Sequence, residues 1–431
     1  ERSNSMGLLI LLGLFGVCVI IGVPVAFALG VAAISSFLYE GLPLLIGFRR
    51  ILSGISVFSL LAIPFFIFAG ELMLHGGIAA RLVKLASATV GSIRGGLGQV
   101  NVFSSMLFGG ISGSAVADVS ALGSILIPAM KEKGYHADYA VNVTVTSSIA
   151  GILIPPSHNM ILYAVAAGGG ISVSNLFLAG VVPGVLMCIS LAVAAYFVAA
   201  RRNYPSEPFP GFAVVLASAW TAIPGLFTAI IIVGGVLSGV FTVTESGAIG
   251  VIYALAVTLL VYRSLTWDGF ILAVSRAVRT TATVMILVGC ATAFAYMLTL
   301  YRVPEQLSHL LYRISDDPII ILLILNLMLL VLGMIMDMAA LILICTPIFL
   351  PVVVNLGMDP VQFGMILMMN LGLGLCTPPV GACLFIGCAI GKTRIESVVQ
   401  TIWPFYLAIL VALMLTTFVP AVSMTLPGLF Q

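Results

Sequence analysis

Apolar runs of roughly 20 residues recur from one end of this chain to the other, with only short polar stretches between them. Runs of that length span a bilayer as helices, whereas a membrane barrel would need short strands alternating apolar and polar residues. Charged residues make up 7% of the 431 positions, against about 25% in a soluble domain. A surface so poor in charge could not stay in water, so the chain reads as an all-α polytopic membrane protein embedded in the lipid bilayer. The net charge of +2 gives no reason to expect a nucleic-acid partner, and the few Lys and Arg residues serve as topology markers. Seven cysteines lie mostly inside apolar runs without paired spacing and read as small core residues. The opening "ERSNS" before Met6 reads as a tag remnant, and no cleavable signal peptide is evident.

Two apolar runs carry an interruption that lipid should not tolerate: "GILIPPSHN" at 151–159 and "GLCTPPVGA" at 374–382. They are copies. Gly110, Gly134, Gly151 and Gly168 match Gly333, Gly357, Gly374 and Gly391, and Pro128, Pro155 and Pro156 match Pro351, Pro378 and Pro379, all at one offset of 223 without a gap. At the same offset Ser147 meets Asn370 and Ser114 meets Asp337. The chain therefore divides into repeats of 6–203 and 215–428, joined by a polar, Pro-rich connector at 204–214.

The basic residues set the relative orientation. "KEKGYH" (131–136) has no basic counterpart at 354–360, which places the two on opposite sides of the membrane. The expected spans are 6–22, 24–39, 61–75, 137–168 and 174–199, then 219–239, 242–262, 284–301, 361–390 and 396–425. Five crossings per half make the repeat inverted, with both termini periplasmic and 131–136, 201–203 and 392–394 cytoplasmic. The segments 41–58 and 264–283 are amphipathic and suit helices lying along the interface, with Trp267 as a headgroup anchor. Segments 97–130 and 318–351 would each reach about 50 Å as straight helices, against a core near 30 Å. Each breaks near its middle, at "FGGISGSAVAD" and "LGMIMDMA", and is expected to be a re-entrant helical hairpin. Spans 137–168 and 361–390 are expected to be interrupted helices.

Non-helical backbone at membrane depth is tolerated where it lines a cavity or is buried in protein. Inverted repeats with broken helices mark secondary transporters, whose unwound carbonyls coordinate Na⁺. Glycine lets a carbonyl turn toward an ion, proline leaves a carbonyl unpaired, and Ser, Thr and Asn add neutral oxygens. One Na⁺ site is expected per half: Gly110, Ser112, Ser114, Ser147, Ser148 and Gly151 in the first, and Gly333, Asp337, Asn370, Gly374 and Thr377 in the second. Short-helix N-termini between them would attract an anionic substrate, with Ser112, Ser114, Asp118, Ser157, His158, Asn159 and Asp337 as candidate contacts. Asp118 and Asp337 lie deepest in apolar sequence, where a carboxylate is a functional candidate by default. Glu245 in "TVTESG" reads as a helix cap. No Arg or Lys is expected near the site, which leans toward a monocarboxylate substrate such as sialic acid.

"SSIAGILIPPS", "GGISGSAVAD" and "FTVTESGAIG" resemble the large membrane subunit of tripartite ATP-independent periplasmic (TRAP) transporters, over essentially all of the chain after Met6. The resemblance implies an elevator-type transporter of the ion transporter superfamily in the bacterial inner membrane. It further implies Na⁺-coupled uptake of an organic acid, either sialic acid or a C4-dicarboxylate. The implied partners are a small four-helix membrane subunit and a soluble periplasmic substrate-binding protein. The alternatives are an intramembrane aspartyl protease built on Asp118 and Asp337, which do not align in the repeat, and a passive anion channel.

Overall fold

The computed structural model describes residues 2–430, with side chains from Met6 onward. The described residues form helices and connecting turns. In the first half these are α1 (Arg2–Ile20), α2 (Val25–Tyr39), α3 (Leu44–Ile55), α4 (Ala62–His75), α5 (Ile78–Val90), α6 (Gly96–Ser112), α7 (Ala115–Glu132), α8 (Ala137–Ser147), α9 (Ala150–Leu153), α10 (His158–Ala166) and α11 (Val173–Arg201). The second half has α12 (Phe212–Leu237), α13 (Val243–Ala256), α14 (Trp267–Leu300), α15 (Val303–Ile314), α16 (Pro318–Ile335), α17 (Met338–Asn355), α18 (Pro360–Leu375), α19 (Ala382–Gly391), α20 (Ile395–Thr401), α21 (Trp403–Phe418) and α22 (Ala421–Leu429). Among the described residues seven helices are long and apolar enough to cross a membrane, and two bent pairs bring the total to nine. Leu44 and Trp267, Ala115 and Met338, and Ala137 and Pro360 each begin a helix, and each pair lies 223 positions apart.

Local chemistry explains the breaks. The α6–α7 turn needs a left-handed residue, and Gly113 supplies it with φ of 62°. Ser114 then caps α7 by accepting from the Ala117 amide. In the second hairpin Asp337 plays that part, accepting from the Ala339 amide at 3.0 Å. The Pro155 and Pro156 rings separate α9 from α10, and the α8–α9 segment bends by 55° relative to α10. Thr242 and Glu245 close a reciprocal capping box at the start of α13, which accounts for Glu245.

Three expectations need correction. Segments 264–283 and 284–301 are not an interfacial helix followed by a span: α14 runs unbroken for 34 residues. No proline interrupts it, and its arginines line the cavity described below. Its counterpart does divide, into α3 and α4, at a short 3₁₀ turn over Phe58–Leu61. The final span 396–425 is not single either. It bends by 57° between α20 and α21, where Pro404 follows Trp403, and breaks again at Pro420 before α22. Helices α5 and α15 occupy segments to which the sequence assigned no element. Ile78, Leu82, Leu85 and Ala86 give α5 a buried face, while Arg81 stacks over the Tyr262 ring at 3.8 Å.

One cluster of basic residues surrounds the start of the connector. Lys131 donates to the Gly391 carbonyl at 2.9 Å, Lys133 pairs with Glu207, Arg202 forks onto Asp138 at 2.9 and 3.0 Å, and Arg94 donates to Asn203 at 3.1 Å. Tyr135, Tyr139 and Tyr204 cluster beside them, with Tyr135 stacked on Tyr139 and Tyr204 tilted against both. These contacts fix the start of the connector to the ends of α6, α7 and α8.

Candidate functional site

The first hairpin tip lies on the break between α9 and α10. A Cβ added to Gly113 would fall 3.0 Å from the Pro156 carbonyl oxygen and 3.5 Å from His158 Nδ1. One added to Gly110 would fall 3.3 Å from the Pro155 oxygen, and one added to Gly109 would fall 2.9 Å from Gly151 Cα. Small residues thus let two backbones approach closely enough to expose carbonyl oxygens to a shared space. Inside this contact Ser112 donates to Asp118 Oδ1 at 2.8 Å. Asp118 is 1% exposed and its Oδ2 has no hydrogen-bond partner. A Cβ on Gly151 would lie 3.3 Å from both Ser112 Oγ and the Ser114 carbonyl and 3.4 Å from Asp118 Cγ. Gly110, Ser112, Ser114, Asp118 and Gly151 are therefore brought together.

Ser147 and Ser148 are engaged elsewhere. Ser147 shares a hydrogen bond of 2.9 Å with Ser105 and belongs to a buried network in which Asn101 donates to Thr144 at 2.6 Å. Ser148 turns back onto the Val145 carbonyl at 2.7 Å. This polar network crosses between α6 and α8, and the sequence reading did not single out Asn101, Ser105 or Thr144. Their signal was present as polar residues inside apolar runs.

The second tip contacts its own break more tightly. A Cβ on Gly374 would sink into the Gly333 backbone. The Val380 amide donates to the Met334 carbonyl at 3.1 Å, tying tip to break. Asn370 donates to Asn326 Oδ1 at 2.7 Å and to the Ile366 carbonyl at 2.9 Å, while its own Oδ1 is buried without a partner. Thr377 donates to the Leu373 carbonyl at 2.7 Å, within its own turn. Gly333, Asn370 and Gly374 converge, and Asp337 caps α17 with its exposed carboxylate turned to the cavity.

A cavity of about 530 Å³ separates the two tips. Ser112, Ser114, His158, Asn159 and Asp337 line it; Asp118 does not. The first turns of α7, α10 and α17 all reach its wall, presenting helix N-termini to whatever occupies it. Ser157 lies just behind, fully buried, with its hydroxyl unpartnered. The opposite wall belongs to α4 and α14 and carries Glu71, Arg276, Arg279, Thr280 and Thr283. The expectation of no arginine near the site is thus overturned. An arginine inside a 34-residue apolar helix looks interfacial until the cavity it faces is known.

Orphaned buried oxygens, close backbone carbonyls and no amine among them form a donor set suited to a hard monovalent cation. Among the described residues no group of three or more His, Cys, Asp and Glu side chains could hold a metal ion. Asp118 bonds to Ser112 behind one tip while Asp337 caps a helix in the cavity wall, so the two carboxylates sit in separate settings and not as a dyad.

The model of the family described as tripartite ATP-independent periplasmic transporter, DctM component, matches residues 12–422. The large permease of the Vibrio cholerae sialic acid TRAP transporter, SiaM, is 38% identical over 95% of this chain and 96% of its own length. The large permease of the Rhodobacter capsulatus C4-dicarboxylate TRAP transporter, DctM, is 34% identical over 98% and 99%. The crystal structure of the YdaH transporter of Alcanivorax borkumensis shares the fold with a TM-score of 0.65, at 14% identity over 86% of this chain and 87% of that one. These relatives are transporter permeases and not enzymes. With its helical hairpins and its broken helices around one cavity, this chain belongs to the family of large membrane components of TRAP transporters.

Proposed function

We propose that this chain carries out Na⁺-coupled uptake of an organic acid anion across the bacterial inner membrane. It would receive the anion from a soluble periplasmic binding protein and work beside a small four-helix membrane subunit. The observation that carries the reading is the pairing of orphaned oxygens with an arginine-bearing cavity. Asp118 Oδ2 and Asn370 Oδ1 are buried without partners behind the two tips, and the cavity between the tips has two guanidinium groups on its far wall. A cation bound by Ser112, Ser114, Asp118 and the carbonyls near Gly110 and Gly151 would fix the first tip. A second, held near Gly333, Asn370, Gly374 and Thr377, would fix the other. Each ion supplies positive charge that helps an anion settle on Ser112, Ser114, Asn159 and the helix N-termini.

Residues 6–203 and 215–428 act as inverted halves in this reading, with the basic cluster cytoplasmic and both termini periplasmic. The tips and broken helices form a mobile unit that slides as an elevator against a wall that includes α4 and α14. The names of the relatives, sialic acid for one and C4-dicarboxylates for another, support organic acids as the substrate class. The test is uptake of radiolabelled sialic acid and succinate into proteoliposomes holding this chain, its small subunit and its binding protein. An inward Na⁺ gradient drives accumulation of one of them, and a K⁺ gradient of the same size does not. Uptake of both that is indifferent to Na⁺ would refute symport.

A further inference from the structure

The far wall of the cavity carries an uneven charge count. Arg276 and Arg279 sit one turn apart on α14, and Thr280 and Thr283 share their face. Ala273 and Ala277 of the same helix are buried in the core, while Arg276 and Arg279 are exposed and line the cavity. Among the described residues neither guanidinium has an ion pair or a hydrogen bond within reach. Glu71 of α4 lines the same cavity, and its Oε2 is buried without a hydrogen-bond partner. His75, one turn further along α4, holds its Nε2 3.9 Å from that oxygen, also unpartnered. Arg276 is close enough to act electrostatically on both Glu71 and His75, so Glu71, on the same cavity wall, is the carboxylate placed to offset it at longer range than an ion pair. Arg279, three residues on, has no such carboxylate. Two guanidinium groups and one carboxylate leave this wall one positive charge in excess, and Asp337 on the facing wall adds a further negative group.

We propose that Glu71 is a specificity-determining residue: it fills the place beside Arg276 that a second acid group of a substrate would need. The cavity then accepts an organic acid with a single anionic group, a carboxylate or a sulfonate, seated on Arg279. A dicarboxylate would have to bring its second charge against Glu71 or Asp337, and like-charge juxtaposition selects against it. The serines and threonines around the cavity suit the hydroxyls of a sugar acid. This inference rests on the proposed function and narrows its substrate class.

The experiment is thermal unfolding of the purified complex with its small subunit, titrated with sialic acid and glucuronate as monoacids and succinate and malate as diacids, at saturating Na⁺. The wild type is stabilised at lower concentrations of a monoacid than of either diacid. Glu71→Gln shifts that ratio toward the diacids by about tenfold, roughly one guanidinium's worth of released charge, while Glu71→Asp keeps the wild-type preference. Arg279→Gln weakens all four anions and leaves the Na⁺-dependent rise in unfolding temperature intact, which separates a lost contact from a lost fold. An unchanged ratio in Glu71→Gln overturns the proposal, as does a wild type that prefers diacids or responds to no anion while still responding to Na⁺. Absence of any Na⁺ response in the wild type strikes instead at the proposed symport.

Discussion

The two hairpin tips occupy matching positions and handle charge in opposite ways. The first hides its carboxylate: Asp118 is buried behind the tip and held by Ser112 at 2.8 Å. The second displays its carboxylate: Asp337 caps α17 and faces the cavity. Backbone contact follows the reverse order. Gly374 is pressed onto Gly333 without room for a methyl group, whereas Gly151 has side-chain and carbonyl oxygens at ordinary or slightly tight range. Under the proposed symport, one tip would use a side-chain anion to complete its cation site, and the other backbone and an amide oxygen. The matching positions of a duplicated chain thus carry different polar groups in the two copies.

The comparison can be broken by substitution. The largest effect is expected from Gly374→Ala, because the added carbon must displace the Gly333 backbone. Overpacking of this kind costs about 1–3 kcal/mol, and Na⁺-driven uptake should be lost. Gly151→Ala, measured beside it by uptake and unfolding temperature, should be clearly milder, since neighbouring groups need to give only a few tenths of an ångström. Equal damage from both would remove the asymmetry of the backbone contacts.

The two carboxylates come next. Asp118→Asn should raise the Na⁺ concentration for half-maximal stabilisation by about 100-fold, roughly 2.7 kcal/mol. Asp337→Asn keeps a capping side chain and should shift that midpoint by less than about threefold while changing the substrate KM. Ser112→Ala removes the hydrogen bond to Asp118, worth about 1.5–3 kcal/mol for a charged partner. Its Na⁺ midpoint should rise by about tenfold, short of the Asp118 effect. The smallest change is expected at the start of α13, away from both tips. Thr242→Ala opens the capping box at a cost of about 1 kcal/mol, visible in chemical denaturation, with uptake per folded molecule unchanged.

Much of this architecture was legible because lipid penalises irregular backbone so heavily. Gly113, Pro155, Pro156, Pro378 and Pro379 stand out only where everything around them is apolar, and the helices do break beside each of them. The polar tips announced themselves in the same way. The arginines of α14 did not. A charge at intervals in an apolar run looks like an interfacial helix, and only tertiary structure reveals that Arg276 and Arg279 look into a cavity. Helix α5 was hidden for a related reason. Arg81 and Lys84 interrupt its apolar pattern and the sequence assigns it no element, yet Arg81 finds Tyr262 from a distant segment and the apolar side packs into the core. Ser147 and Ser148 sit in the right segment, but their rotamers, which sequence spacing does not encode, turn them to Ser105 and to Val145.

Equilibrium binding of ²²Na⁺ to the purified complex, counted per chain, addresses the central claim most directly. The account predicts two bound ions in the wild type and, at the Na⁺ concentration that just saturates it, one in Asp118→Asn, whose weakened first site fills only at about 100-fold higher Na⁺ while the second tip keeps its own. Zero ions in the wild type, or a count unchanged by the substitution at saturating and at limiting Na⁺, would contradict it.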